Sequence, residues 1–245
     1  MTVQDDQREK ELCRLFNLEW DASHPRGGTD AHFILDVQSK RYRVDTEVKS
    51  TTSDTVSTAR DVGLDHIKKW REKFWIIGFY KVRGRGPELQ YSLCLTPSDL
   101  APWIASLEAK IKPDFELAER ASQLLTVDDL YTICGNKTAY DVLDAKLLHK
   151  NQWSAKEYLD ARDITVRTAA GTAKMISPAR MLEILRLRAR YIAERGATLN
   201  NPHISKRFLD TFATAQVTSN QAATIRTVAQ TYILSTPKHP FPQTP

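Results

Sequence analysis

The sequence predicts an α/β fold in residues 1–100 and a mainly helical portion in residues 101–245, and the two can form one continuous domain. Three observations predict this division. The runs AHFILDV and RYRVDTEVK place apolar residues at alternate positions, which indicates strands over residues 31–37 and 41–49. The nearly continuous apolar run WIIGFYKV indicates a further strand that is buried on both faces. From Pro97 onward the sequence is mostly helical.

The elements of the first portion follow from local patterns. Residues 5–19 carry apolar side chains at helical spacing behind an acidic start, and the stretch SHPRGG at residues 23–28 ends this helix. Apolar residues from Val62 to Phe74 mark the buried side of a second helix. Two strands joined by the turn RGRGP complete the portion, over residues 75–82 and 89–95.

Helices of the second portion are predicted from their capping residues. The predicted caps at helix starts are Ser98, Thr126 with Asp129, Ser154 with Glu157, and Ser177 with Pro178. The glycines predicted to end helices are Gly135 and Gly196. A last helix is predicted over about residues 219–234, and the proline-rich tail TPKHPFPQTP is predicted to be loose.

Composition limits the class of protein. A chain of 245 residues with a net charge of +5 can bury a sizeable core, and its basic balance favours a polyanionic partner. The three cysteines lie far apart, which predicts free thiols in a reducing compartment. No segment resembles a signal peptide, and no apolar run approaches the roughly 20 residues that span a bilayer. We therefore expect a cytoplasmic protein with no membrane association.

The two strands over residues 31–49 predict a hairpin of defined register. Its apolar positions are odd in the first strand and even in the second, and opposed residues of a hairpin share a face. A turn centred on Gln38 and Ser39 aligns the two apolar sides. The same register places two favourable pairs directly across the strands, Asp36 with Arg41 and His32 with Asp45.

This register also sets Asp30 opposite Glu47. Two carboxylates across a ladder have Cβ atoms roughly 4.5–5.5 Å apart and repel each other. A shared proton or a bound cation would offset that repulsion, and hard oxygen ligands favour Mg²⁺. Lys49 lies two residues beyond Glu47 in the strand and therefore on the same face.

The string GGTD, which ends at Asp30, and the string TEVKS, which contains Glu47 and Lys49, have the spacing D-x16-E-x-K. This pattern resembles the PD-(D/E)xK nuclease motif, and the predicted helix and buried strand follow it in the order of that superfamily. Thr29 departs from the motif, because many members have proline there. The resemblance covers about residues 10–100, and the chain as a whole resembles a type II restriction endonuclease.

The resemblance implies a restriction-endonuclease-like core, with a central mixed β-sheet flanked by helices. It implies Mg²⁺ held by Asp30, Glu47 and the backbone carbonyl of Val48, with Lys49 orienting the attacking water and offsetting developing charge. The implied reaction is hydrolysis of phosphodiester bonds in specific double-stranded DNA sequences, leaving 5′-phosphates. The implied partners are a second copy of the chain in a homodimer and a separate cognate DNA methyltransferase.

Two alternatives stay open. One is a junction-resolving or repair endonuclease of the same superfamily, and the other is a non-catalytic DNA-binding module whose carboxylates are structural. Glu11 is a further candidate, since some relatives place an additional acid on the first helix, although an acid on a surface helix is commonly only solvated.

The richest basic stretch, residues 160–208, is a candidate DNA-facing segment of the helical portion. Arg186 and Arg190 are its candidate phosphate contacts. The competing interpretation is a helix that packs its apolar side inward while its arginines meet water.

Overall fold

The structure is a computed structural model that describes residues 3–20, 30–84, 86–168 and 171–244. The predicted break at residues 23–28 and the motif position Thr29 lie outside the described residues. The chain groups into two units, the first made of residues up to Lys110 and from Leu199 onward, the second of Ile111–Thr198. The predicted boundary lies at residue 100 with residues 101–245 in one portion, whereas the structure groups the chain from Leu199 onward with the first unit.

The described part of the chain contains helices and strands in alternation up to residue 96 and mostly helices beyond it. The helices are α1 (Val3–Leu15), α2 (Leu64–Trp70), α3 (Pro97–Gln123), α4 (Val127–Cys134), α5 (Val142–His149), α6 (Ala155–Asp160), α7 (Pro178–Ala197), α8 (Lys206–Phe212) and α9 (Gln221–Ser235). The strands are β1 (Glu19–Trp20), β2 (Ala31–Val37), β3 (Lys40–Thr51), β4 (Thr55–Ser57), β5 (Phe74–Arg83), β6 (Gly86–Leu95), β7 (Ile164–Thr168), β8 (Gly171–Met175), β9 (His203–Ser205) and β10 (Ala215–Val217).

A six-stranded mixed sheet in the order β1-β2-β3-β5-β6-β10 forms the centre of the first unit. Strands β3 and β5 are parallel, with α2 in the connection between them, and the other neighbours are antiparallel. Helices α1 and α9 share a core with one face of the sheet, and Trp70 of α2 and Trp103 of α3 pack on Trp75. The predicted α/β class with a mixed sheet flanked by helices is confirmed.

The predicted register of the β2–β3 hairpin is confirmed. Gln38 and Ser39 form the turn with positive φ angles of 50° and 63°, the conformation that two-residue hairpin turns need to follow the twist of the strands. Asp36 and Arg41 pair across the strands, and the guanidinium contacts the carboxylate at 3.2 Å. The ladder runs only as far as Ala31 opposite Thr46, so Asp30 stands one residue beyond it.

Two predicted helices are shorter in the structure. Helix α1 ends at Leu15 because Asn17 adopts a left-handed φ of 49° and the Leu18 N–H donates to the Cys13 carbonyl, which turns the chain into β1. Helix α2 ends at Trp70 because Phe74 already starts the parallel strand β5.

Most of the predicted caps are confirmed, with two corrections. Thr126, Ser154 and Ser177 precede α4, α6 and α7 as predicted. The predicted cap at Ser98 is wrong, because Thr96 and Asp99 exchange the capping hydrogen bonds, at 2.7 and 3.3 Å. The predicted stop at Gly196 is also displaced, since α7 continues to Ala197. Cys13, Cys94 and Cys134 are unpaired, as predicted.

The prediction of a loose C-terminal tail is wrong for the described residues. The Arg43 N–H donates to the Pro242 carbonyl at 3.1 Å, and the Thr244 N–H donates to the Arg41 carbonyl at 2.9 Å. Strand β5 pairs with β3 only from Thr46 onward, so the first part of β3 has an edge that the tail covers. Phe241 anchors the tail, with its ring 5.4 Å from that of Phe74.

Phe241→Ala is expected to destabilise the protein by about 3 kcal/mol, because a phenyl ring that is 5% exposed leaves a cavity among aromatic neighbours. Urea unfolding measures the change. Phe212→Ala is the matched control, since that ring is 40% exposed and its loss should cost less than about 1 kcal/mol. Equal effects of the two substitutions would show that the tail does not pack as described.

The second unit has a core of its own. Its helices and the β7–β8 hairpin bury a cluster that includes Tyr140, Tyr158 and Met181. Tyr140 also forms an isolated bridge with Ile176, which ties the start of α5 to the start of α7. The helical portion therefore folds around an apolar centre and presents α7 as its longest complete helix.

Candidate active site

The end of strand β3 brings the candidate residues together. Val48 is fully buried in the core shared with α1 and α9, so Glu47 and Lys49 point to the opposite face of the sheet. Asp30 precedes β2 and lies beside them, because its Oδ2 accepts a hydrogen bond from the Val48 N–H at 3.1 Å. The hairpin register thus places Asp30, Glu47 and Lys49 in one cluster.

The Lys49 ammonium lies between the two carboxylates. Its Nζ is 2.9 Å from Asp30 Oδ2 and 2.9 Å from Glu47 Oε1. The repulsion between these acids requires a shared proton or a cation to offset it, and in this structure the ammonium is that cation. All three side chains are largely buried, so the attraction acts in a medium of low polarity.

Burial and the opposing charges set the protonation of the cluster. Burial and the Glu47 charge raise the pKa of Asp30, against the opposite effect of Lys49. Burial also disfavours the ionised form of Glu47, but the Lys49 and Lys73 ammonium groups outweigh it and lower the pKa of Glu47 from 4.5 to about 2. Burial lowers the pKa of Lys49, but the Glu47 and Asp30 charges outweigh it and hold that pKa above its usual value. Lys49 is therefore a charged donor here and not a base.

Lys73 is a member of the cluster that sequence reasoning missed. Its Nζ donates to Glu47 Oε2 at 2.8 Å, and the side chain is only 5% exposed. The parallel register pairs Glu47 with Trp75, so Lys73 precedes that position by two residues and lies on the same face. In the sequence Lys73 alternates with Trp75 and Ile77, which indicates that these three side chains share one face of a strand. The residues that contact this face are set by the pairing of β3 with β5.

Helix α1 also contributes an acid, although Glu11 is not the one that acts on Lys49. Glu11 accepts a hydrogen bond from the Tyr80 hydroxyl at 2.9 Å. Glu9 is buried, and its negative charge contributes to the raised pKa of Lys49. Glu9 shares a helical stripe with Leu12, Cys13 and Phe16, all buried, and this spacing is the signal that could have identified it.

The neighbouring predictions for the hairpin were partly wrong. His32 faces Asp45 in the ladder, but its Nε2 contacts Glu19 at 3.1 Å and Asp45 accepts from Arg43 at 2.8 Å. Ser50, which follows Lys49 in β3, accepts a hydrogen bond from Arg8 at 3.1 Å. These side chains thus support the local structure around the cluster.

The donor chemistry of the cluster fits a hard divalent cation. Asp30 and Glu47 offer carboxylate oxygens, and Mg²⁺ is commonly held by one or two carboxylates together with waters and substrate phosphates. Among the described residues, no group of three or more His, Cys, Asp and Glu side chains is arranged to hold a metal ion. Within the described ranges, a metal held by these two carboxylates would complete its coordination with backbone oxygens, waters or the substrate.

The candidate phosphate contacts Arg186 and Arg190 are engaged within the second unit. The Arg186 guanidinium donates twice to the Leu125 carbonyl, at 2.8 and 3.1 Å. Arg190 pairs with Glu194 at 2.7 Å and also with Glu119. Both guanidinium groups therefore hold helices together, which makes them poor choices for contacts to DNA.

The two comparisons with known proteins gave no match for the chain. No protein-family model matches the chain, and a search of curated proteins found no match. None of the helices in the described ranges combines the length and the apolar character that a membrane span requires.

Lys73→Met is expected to reduce the DNA cleavage that the sequence motif implies by about tenfold, because groups that orient a ligand typically contribute 10- to 100-fold. Glu47 would lose the partner of its Oε2 and part of the charge that lowers its pKa. Single-turnover cleavage at saturating Mg²⁺ measures the effect. Lys68→Met is the matched control, an exposed lysine of α2 whose loss should leave the rate unchanged.

Proposed function

We propose that the protein is a Mg²⁺-dependent type II restriction endonuclease of the PD-(D/E)xK superfamily, which hydrolyses phosphodiester bonds in specific double-stranded DNA and leaves 5′-phosphates. One observation carries the proposal. Two buried carboxylates separated by 16 residues meet at a single lysine, in the spacing D-x16-E-x-K. Burial of two carboxylates with the ammonium groups that pair them carries a desolvation cost, and strongly shifted pKa values of this kind cluster at functional sites.

The topology supports a restriction-endonuclease-like core. An N-terminal helix precedes the β2–β3 hairpin, α2 connects β3 to the parallel strand β5, and β6 returns antiparallel to it. The candidate residues lie where Asp30 enters this hairpin and toward the end of β3. This order of elements is the one that the motif predicts around its acids and lysine.

In the proposed mechanism Asp30 and Glu47 would hold the metal, together with the backbone carbonyl of Val48. A divalent ion bound there would supply charge stabilisation at the phosphoryl oxygen and activation of the attacking water. Lys49 stays protonated, donates a hydrogen bond that orients the water, and offsets the negative charge that develops in the transition state. The Val48 N–H and Lys73 hold the two carboxylates in place.

The proposal extends to partners. Cutting both strands of a duplex at one site is served by two copies of the chain, so we propose a homodimer that acts on double-stranded DNA. A separate cognate DNA methyltransferase would protect the host sequence, and both proteins would act in the cytoplasm. The helical residues after the core would supply the surface for sequence recognition and dimerisation.

A specific observation favours a second candidate, a non-catalytic DNA-binding module. The charges of Asp30 and Glu47 are matched by those of Lys49 and Lys73, so the cluster is compensated without a metal. A buried ion network of this kind can also be structural. The chemistry of the site therefore has to be tested directly.

The decisive experiment incubates purified protein with long duplex DNA and Mg²⁺. We expect discrete fragments with 5′-phosphates, and no cutting when the metal is chelated. Selective cutting of branched DNA, with the linear duplex left intact, would favour the junction-resolving or repair enzyme. Binding without cleavage of any DNA would favour the non-catalytic module.

A further inference from the structure

Helix α7 carries two kinds of arginine. Arg180, Arg186 and Arg190 are each engaged by a carboxylate or a carbonyl of the second unit. The guanidinium groups of Arg188 and Arg195 have no hydrogen-bond or ion-pair partner among the described residues, although they lie on the same helix. A helix that pairs its other arginines and leaves these two free presents positive charge that is available to a ligand.

Both free arginines line one groove. Arg188, Tyr191, Ile192 and Arg195 recur at the spacing of a single helical stripe, and Gln152 closes the groove from the turn between α5 and α6. The groove has a volume of about 530 Å³. Tyr191 is 39% exposed and Ile192 is 60% exposed, so the floor between the two charges offers apolar surface to a ligand.

An aromatic cluster holds the groove in shape. The Tyr191 ring lies 5.5 Å from the His149 ring, which lies 4.7 Å from Trp153. Arg188 precedes Tyr191 by three residues on the same stripe of α7, and burial and the Arg188 charge lower the pKa of His149. The tyrosine therefore has a fixed backing, and its outer face is free to pack against a flat or cyclic group.

We propose that this groove binds the sugar–phosphate backbone of a nucleic acid, with Arg188 and Arg195 contacting phosphates and Tyr191 packing against a sugar. The inference rests on the proposed function and identifies where its second unit contacts DNA. Seven residues of helix separate the arginines by about 10 Å along the axis. Both side chains are long and flexible, so two guanidinium groups at this separation can each contact a different phosphate of one backbone.

The test compares salt dependences of binding. Each variant binds a fluorescent duplex of about 30 base pairs in EDTA, with salt varied from about 50 to 300 mM, so that no cleavage intervenes. Arg188→Gln and Arg195→Gln should each reduce the slope of log affinity against log salt by about one unit, for every duplex sequence. Tyr191→Leu should weaken binding and leave the slope unchanged, because it removes contact area but no charge.

Arg120→Gln is the matched control, an exposed arginine on α3 of the same unit whose loss changes the net charge equally. An equal loss of slope in this control would assign the effect to net charge and overturn the inference. If the wild type binds and cuts DNA but both groove variants keep the wild-type salt slope, the groove is not a DNA contact, and the proposed function still stands. A wild-type chain that binds no duplex would instead overturn the proposed function, and the groove with it.

Sedimentation of the Arg188→Gln, Arg195→Gln double variant tests the competing occupant, a second copy of the chain. We expect the oligomeric state of the wild type. Dissociation of the double variant with an unchanged salt slope would show that the face joins two copies, and would overturn the nucleic-acid assignment. Circular dichroism should show wild-type melting for the double variant, because neither side chain has a partner within the described fold.

Discussion

Glu47→Gln is expected to abolish DNA cleavage, with a loss of at least about 10³-fold in the single-turnover rate, while duplex binding in EDTA stays close to that of the wild type. Glutamine keeps the size of the side chain but removes the charge that would bind a divalent ion. Asp30→Asn is expected to have the same effect on cleavage. Asp36→Asn is the matched control, because that acid pairs with Arg41 on the exposed part of the same hairpin.

The two acid variants should differ in the stability of the metal-free protein. Glu47 contacts both Lys49 and Lys73, so Glu47→Gln leaves two buried ammonium groups with weaker partners and should cost about 3 kcal/mol or more. Asp30→Asn leaves Lys49 paired with Glu47 and removes a carboxyl whose pKa is raised. We therefore expect a smaller loss for Asp30→Asn, measured by urea unfolding at neutral pH.

The pH dependence of this difference has a definite sign. The pKa of Glu47 is lowered on folding from 4.5 to about 2, so its stabilising contribution is present above pH 4.5 and is lost as the pH falls through about 2. The stability difference between wild type and Glu47→Gln should shrink over that interval. Wild-type cleavage by either acid variant, or a stability difference that is constant with pH, would contradict the assigned site.

Lys49→Ala is expected to reduce the single-turnover rate by roughly 10²-fold or more at saturating Mg²⁺ and protein, since it removes several kcal/mol of transition-state stabilisation. If Lys49 were only an ion-pair partner of Asp30 and Glu47, turnover would barely change. Metal and DNA binding should persist, because both carboxylates remain. The metal-free variant should also be less stable, since two adjacent buried carboxylates lose the cation between them.

Lys49→Arg separates charge from geometry. The planar guanidinium keeps a positive charge but cannot occupy the compact position of an ammonium 2.9 Å from both carboxylates, so it should not restore the rate. Lys40→Ala, an exposed lysine at the start of β3, is the control for loss of charge on the same hairpin. A cleavage rate of Lys49→Ala within a few-fold of the wild-type rate would show that the cluster is a structural ion network and not a catalytic site.

The sequence by itself determined the β2–β3 hairpin and most of the cluster within it. Alternation of apolar side chains has a period of two, so a slip of one residue would move every apolar side chain to the wrong face. A turn at Gln38 and Ser39 is the one that aligns the apolar sides of the two strands. The closeness of Asp30 to Glu47 and Lys49 follows from this local pairing. Caps such as Ser154 were predictable for the same reason, because their partners lie three residues away.

Tertiary structure alone decided which groups complete the site. Lys73 reaches Glu47 only because β5 pairs in parallel with β3, and Phe241 reaches the core only because β5 leaves the first part of β3 uncovered. Glu9 acts on Lys49 because α1 packs on the same sheet. The partners in these contacts lie 26 or more residues apart in the chain. A local pattern can show which face a side chain takes, but the distant residue that it meets depends on the packing of the whole core.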